Sequence, residues 1–263
     1  MSTPPLTYGR YLQIEALLKL QQPLSDGPEH DETLFIIIHQ VYELWFKQLL
    51  HELDALNAAL DAARTMAALA TLKRMLTILK TLVAQVDVLE TMTPLSFNAF
   101  RARLDASSGF QSAQFRLLEF RLGHKRPGML THYGEDGAAG AQLDAALRAP
   151  ALYDHLLGYL HAQGHAVPPS LLSRDFCQPY AGSSAMQDLL VSLYRHDDPA
   201  AQVCERLVDL DEGLQEWRYR HVKMVERTIG SKPGTGGSSG VEYLRATLFQ
   251  PLFPDLWAIR ARL

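Results

Sequence analysis

The sequence predicts an all-α protein, a single helical domain spanning residues 1–263. Three observations carry this. Apolar residues recur at spacings of three and four over several long stretches, no stretch shows sustained period-two alternation between turn signals, and the long runs are bracketed by helix caps and breakers. A hydrophobic content of 47% in 263 residues is enough for a sizeable core.

In chain order, Tyr8, Tyr11 and Leu12 open an N-terminal arm (residues 1–22) that the pattern makes helical through Glu15, Leu17, Leu18 and Leu20 up to Pro23. So short a helix is marginal in water and needs a surface to dock on. On the residues alone, the two tyrosines fit an amphipathic turn on the chain's own core, and exchange with a neighbouring subunit is the other reading. Asp31 is the predicted N-cap of a long helix reaching Leu60, with Phe35, Tyr42, Phe46, Leu49, Leu53, Leu56 and Leu60 on one face. His39 lies four residues after Phe35 and three before Tyr42, so it shares that face. Leu69 to Glu90 forms a second amphipathic helix, antiparallel to the first if the turn is short. Thr93 and Pro94 are the cap and first-turn pair of a helix predicted to reach Leu104, on which Phe97 and Arg101 stand one turn apart. An aromatic beside a guanidinium suits an apolar group that carries a carboxylate, although a surface arginine has the same pattern.

Ser107, Ser108 and Gly109 break that helix before Gln114 and Arg116 begin the next. Residues 123–150, with Pro127, Gly128, Gly134, Gly137 and Gly140, read as an irregular connection with short helical pieces. Helices follow at Leu152–Gln163 and Ser184–Arg195, separated by loops around Pro168, Pro169 and residues 177–184. Asp198 and Pro199 cap the last long helix, which runs through Val203, Leu207, Leu210 and Leu214 to His221 and is about 45 Å long if unbroken. His221 falls among Leu214, Trp217, Met224, Val225 and Ile229, inside an apolar stripe. Gly230 is placed to end this helix in a left-handed conformation and Pro233 to prevent its resumption. The loop beyond, with Gly234, Thr235, Gly236, Gly237, Ser238, Ser239 and Gly240, offers bare backbone and hydroxyls suited to a carboxylate, a phosphate or an ammonium. It lacks the GxGxxG spacing and any GK[ST] ending and follows a helix, so it is not a nucleotide motif.

Composition narrows the function. A net charge of −4 argues against nucleic acid or an anionic membrane as a partner, and no stretch approaches a membrane span or a secretory signal. Cys177 and Cys204, the only cysteines, point to a reducing compartment, with the cytoplasm as the default. No Glu-x-x-His, HExxH or CxxCH occurs, which weighs against di-iron, zinc and covalent-haem sites, and the GxSxG string at 236–240 follows a helix rather than a strand, so it is no hydrolase elbow. Two inward-facing histidines on different long helices remain, compatible with a haem, which needs one axial protein ligand.

Five segments, LTYGRYL, LFIIIHQVYELWFK, LSFNAFRARLDASSGFQSAQF, WRYRHVKMVERTIG and KPGTGGSSGVEYL, occur in this order across essentially the whole chain. Together they resemble tryptophan 2,3-dioxygenase. The resemblance implies an all-helical haem dioxygenase fold, a cytoplasmic homotetramer with an exchanged N-terminal arm, and one noncovalent haem b per subunit. It also implies conversion of L-tryptophan and O₂ to N-formylkynurenine, the first step of the kynurenine pathway. His221 then corresponds to the proximal iron ligand and His39 to the distal histidine that accepts the indole N–H. Phe35 packs on the indole ring, Arg101 pairs with the substrate carboxylate and Thr235 meets the amino acid's charged end. Phe97 stands where some members have tyrosine, so a hydroxyl contribution is absent there. Ser108 and Gly109 match the loop over the haem, and Tyr8, Tyr11 and Leu12 match arm residues that complete a neighbouring subunit's pocket, which favours exchange of the arm. A haem monooxygenase acting on a substituted tryptophan and a non-catalytic haem sensor are the alternatives, the first separable by product mass.

Overall fold

The computed structural model describes residues 5–105, 107–133, 137–235 and 239–263, and among them every regular element is helical. The chain enters through two single turns, α1 (Tyr8–Tyr11) and α2 (Ile14–Leu17), in place of the one short helix predicted before Pro23. Gln13 between them has a φ of 53°, a left-handed conformation that no right-handed helix passes through.

Helix α3 (His30–Asp61) takes Glu29 rather than Asp31 as its N-cap residue. Asp31 lies in the first turn, where a carboxylate complements the helix dipole. Glu32 accepts from the backbone N–H groups of Leu24 (2.6 Å) and Ser25 (3.1 Å) and so folds the incoming chain against the helix start. Helix α4 (Thr65–Leu89) begins four residues before the predicted start, after a tight turn in which Ala63 has a φ of 52°. The Thr93 hydroxyl caps α5 (Pro94–Arg101) by accepting from Ser96 N at 3.1 Å, and this helix stops at Arg101, short of Leu104.

Ser112 caps α6 (Ala113–Leu122), accepting from Phe115 N at 3.1 Å. The segment expected to be irregular contains an eleven-residue helix, α7 (Ala138–Arg148). Its alanine-rich sequence favours the helix despite Gly140. Lys125, buried, satisfies its end by donating to the carbonyls of Ala146 (2.6 Å), Leu147 (3.1 Å) and Ala149 (2.8 Å). Next come α8 (Leu152–Ala162), α9 (Pro169–Leu172), α10 (Ser184–Arg195) and α11 (Pro199–Ile229), the last capped by Asp198, which accepts from Ala200 N at 2.8 Å. At its far end Gly230 has φ 59° and ψ −132°. The φ is positive as predicted, but the ψ lies outside the left-handed helical basin, in a region that favours glycine. Short α12 (Val241–Arg245) and α13 (Pro254–Ala258) close the chain.

The core forms where α4 packs against both α3 and α11. Leu53, Leu56 and Leu60 meet Leu72, Met75 and Leu82 there, with Val203, Leu207 and Leu214 from α11. Each such leucine contributes about 1.5–3 kcal/mol by leaving water. Two buried carboxylates tie the rest to this frame. Asp211 of α11 accepts from Leu252 N and Trp257 Nε1, both at 2.8 Å, and Asp255 of α13 accepts from the Tyr153 and Tyr180 hydroxyls, Ser183 N and Gln187 Nε2. Cys177 and Cys204 are both free thiols. Among the described residues no helix is long and apolar enough to cross a membrane.

Candidate functional site

Helices α3, α4, α5, α6, α11 and α12 and the loops after α5, α6 and α11 line one cavity. His39 reaches it from α3 and His221 from α11, close enough that a charge on His39 disfavours one on His221. Burial is the main influence on both and lowers their pKa values, that of His221 to about 4, so both imidazoles are neutral at pH 7. His39 Nδ1 lies 2.7 Å from the Phe35 carbonyl oxygen. A carbonyl only accepts, so Nδ1 carries the proton and Nε2 is left as a bare acceptor. The ring of Phe35 stands 4.1 Å from that of His39, centroid to centroid, and 5.8 Å from Phe97.

His221 differs in kind. Its ring lies parallel to Trp217, one helical turn earlier, with an interplanar angle of 4° and a centroid separation of 5.3 Å. Among the described residues no hydrogen bond reaches its imidazole, which faces a cavity walled by Val86, Leu89, Val225 and Ile229. A neutral imidazole with a free lone pair on an apolar wall fits a flat apolar macrocycle whose metal lacks one ligand. Nor do any three His, Cys, Asp or Glu side chains gather as a metal site among the described residues. A metal held here therefore has to arrive with most of its own ligands.

At the loop side of the cavity, Arg101 Nη2 donates to the Pro233 carbonyl at 2.7 Å and the Thr235 hydroxyl donates to the Ser107 carbonyl at 2.6 Å. These two bonds tie the end of α5 and the loop after it to the loop after α11. Ser108 and Gly109 line the same cavity; the Ser108 hydroxyl accepts from Phe110 N at 3.3 Å. A Cβ built on Gly109 meets nothing within 4 Å, whereas one built on Gly240 would stand 2.7 Å from the Lys232 carbonyl oxygen. Gly240 is thus required by the loop's own backbone, and Gly109 is not. Of the glycine-loop residues, Gly236, Gly237 and Ser238 lie outside the described residues.

The structure brings together Phe35, His39, Phe97, Arg101, Ser108, Gly109, His221 and Thr235. It does not bring Tyr8, Tyr11 or Leu12 to this chain's cavity. They stand on the outside, the two tyrosines more than 70% exposed, and the arm meets its own chain through Gln21 and Gln40. A further group, absent from the sequence reading, lines the cavity: Arg116, Glu119, Arg126, Arg218 and Tyr243. Glu119 accepts from Arg126 (2.8 Å), Arg218 (2.8 Å) and Arg116, and the Tyr243 hydroxyl accepts from Arg126 at 3.2 Å. Two signals for it were present in the sequence. Arg116 and Glu119 are a charged pair at i,i+3 among Phe115, Leu118 and Phe120, and Arg218 precedes His221 by three residues on one helix.

The family model described as tryptophan 2,3-dioxygenase matches residues 1–139 and 174–263, ranges that contain every residue named above at the cavity. A protein of Anaeromyxobacter sp. (strain K) named tryptophan 2,3-dioxygenase is 60% identical over 262 residues, covering 98% of this chain and 96% of its own length. One of Herpetosiphon aurantiacus with the same name is 58% identical over 258 residues, at 98% of each chain. A Bacillus cereus relative of that name is 42% identical over 261 residues, at 98% of this chain and 93% of its own.

Proposed function

The chain belongs to the tryptophan 2,3-dioxygenase family, and we propose that its cavity converts L-tryptophan and O₂ to N-formyl-L-kynurenine around a noncovalent haem b held by His221. It is an oxidoreductase of tryptophan catabolism. The observation that carries the site reading is the pair of neutral imidazoles facing one apolar cavity, His39 with its Nδ1 committed and His221 with no hydrogen bond to its ring among the described residues.

When bound, the haem supplies the oxygen chemistry. The chain's own residues do the rest. His221 would hold the iron of the haem, and Trp217 stacked on it restricts the plane of its ring. His39 Nε2 accepts the indole N–H, because Nδ1 is held by the Phe35 carbonyl, and Phe35 and Phe97 supply apolar surface to the ring. Arg101 takes the carboxylate and Thr235 the amino acid's charged end, so the substrate is fixed at both its indole and its amino-acid ends. Ser108 and Gly109 would help hold the haem from the cavity wall, where the missing side chain of Gly109 leaves room. The reading includes a cytoplasmic homotetramer in which Tyr8, Tyr11 and Leu12 close a neighbouring subunit's cavity. Support comes from their exposure and from two unpaired cysteines.

The test is anaerobic reconstitution with haem, reduction, addition of L-tryptophan and O₂, and mass analysis. A product heavier by both oxygen atoms is expected; one heavier by a single atom overturns the dioxygenase reading. His221→Ala should abolish stable haem retention, and His39→Ala should retain haem while weakening tryptophan use. Haem loss in His39→Ala with retention in His221→Ala would mean that the two faces are reversed.

A further inference from the structure

Arg116 and Arg218 are almost fully buried, and Arg126 is the more open member, its side chain 29% exposed. All three guanidiniums converge on one carboxylate, Glu119, itself buried. His124 beside them adds no charge, because burial and the neighbouring Arg218 push its pKa down to about 4. Among the described residues, three guanidiniums against the one carboxylate they bond leave an excess of two positive charges in the cluster; Asp211, whose hydrogen bonds go to Leu252, Phe253 and Trp257, reaches Arg218 only through space. Tyr243 contributes a hydroxyl, and Nη1 of Arg218 donates to the Thr247 carbonyl at 3.0 Å. Buried charge is ordinarily paired, and an uncompensated one is expensive.

A second observation is independent of that charge count. The Nε–H groups of Arg116, Arg126 and Arg218 are each buried with no acceptor among the described residues. Three orphaned donors in one cluster are unusual when nearly all buried polar groups are satisfied. All three residues line the cavity, and Arg218 stands on α11 one turn before His221. The group that belongs there is therefore an anion, and it lies against the helix that carries the iron ligand.

We propose that Arg116, Arg126 and Arg218, gathered on Glu119, form a cationic cradle that takes a carboxylate of the haem. This rests on the reading of the cavity given above. The substrate's own carboxylate is the other source of the same chemistry, but Arg101 meets it at the loop side of the cavity, where no acidic side chain pairs with Arg101 among the described residues. Burial, reinforced by Arg126 and Arg116, pulls the Arg218 pKa down against the opposing effects of Glu119 and Asp211.

Apoprotein is titrated with haemin and with haemin dimethyl ester, without tryptophan, following the Soret band and the quenching of tryptophan fluorescence. Wild type should bind haemin roughly tenfold or more tighter than the ester, since a charge-assisted contact is worth about that factor. Arg126→Gln, at the most exposed of the three sites, should collapse this ratio toward one while binding the ester as wild type does. Glu119→Gln removes the competing anion and should keep the ratio or raise it; thermal unfolding verifies that each variant is folded. Should Glu119→Gln fail to fold, Arg126→Gln decides alone. Equal binding of acid and ester by wild type, or an unchanged ratio in folded Arg126→Gln, overturns the cradle. So does an Arg126→Gln protein that keeps the ratio and raises only the KM for tryptophan, which would assign the cluster to substrate. Failure of haemin to bind at all is a different result and refutes the haem reading itself.

Discussion

Arg101 stands half-exposed at the end of α5, with one guanidinium nitrogen on the Pro233 carbonyl and, among the described residues, no acidic side chain paired with it. A carboxylate offers two acceptors to such a fork, and an indole without one leaves it as it is. Arg101→Ala should therefore lower kcat/KM for L-tryptophan about 100-fold or more and change turnover of 3-methylindole little, measured side by side. His124 makes a different residue-scale case. Its pKa in the folded protein, about 4, lies below the ordinary value of 6.5, so the unfolded chain takes up the proton first as pH falls. The stability that depends on a neutral His124 is present above pH 6.5, is lost between 6.5 and about 4, and falls no further below that. The loss is on the order of 3 kcal/mol. Urea unfolding of the apoprotein at pH 7 and pH 4.5 should show it, and His124→Gln should flatten the difference without abolishing it, because His39 and His221 also fold uncharged. An equal pH dependence in wild type and variant would remove His124 from the account.

The two loops at the cavity use glycine for different reasons. At Gly240, φ is 68° and an added Cβ would stand 2.7 Å from the Lys232 carbonyl oxygen, a contact with backbone that no side-chain rotation relieves. Gly240→Ala is expected to unseat the loop that carries Thr235, raising the KM for tryptophan and lowering the thermal midpoint. At Gly109 φ is not positive, and an added Cβ meets no atom of the chain within 4 Å. Gly109→Ala should leave the thermal midpoint of the apoprotein unchanged and weaken the retention of haem or substrate. A destabilised Gly109→Ala apoprotein, with ligand binding intact, would show the glycine to be structural. Among the helices, α7 owes its end to Lys125, whose ammonium meets three carbonyls, an arrangement made by a residue thirteen positions before the helix begins.

For the molecule as a whole, the arm is the part least accounted for by its own chain. Tyr8 and Tyr11 are 77% and 71% exposed, and α1 and α2 are single turns too short to persist in water unaided. Deletion of residues 1–12 should leave haem content and helicity in place and raise the KM for tryptophan sharply. Co-assembly makes the test specific. Arm-deleted chains mixed with full-length Arg101→Ala chains should regain activity once mixed oligomers form, since an intact arm then meets an intact cavity. Mixed oligomers without activity would confine the arm to its own chain.

The sequence by itself determined the helical class, the order and approximate extent of the long helices, and the inward direction of His39 and His221. Helical periodicity is local, and each histidine lies within its own helix's apolar stripe, so no knowledge of the partner helix is needed. Through the family resemblance it also named eight of the residues that line the cavity, Phe35, His39, Phe97, Arg101, Ser108, Gly109, His221 and Thr235. Tertiary structure alone decided that Arg116, Arg126 and Arg218, from α6, the loop after it and α11, share Glu119. It likewise decided that a lysine ends α7 and that the arm breaks at Gln13. Whether a charged side chain is buried, and against what, depends on which distant segments pack beside it, and long-range packing leaves no period in the sequence.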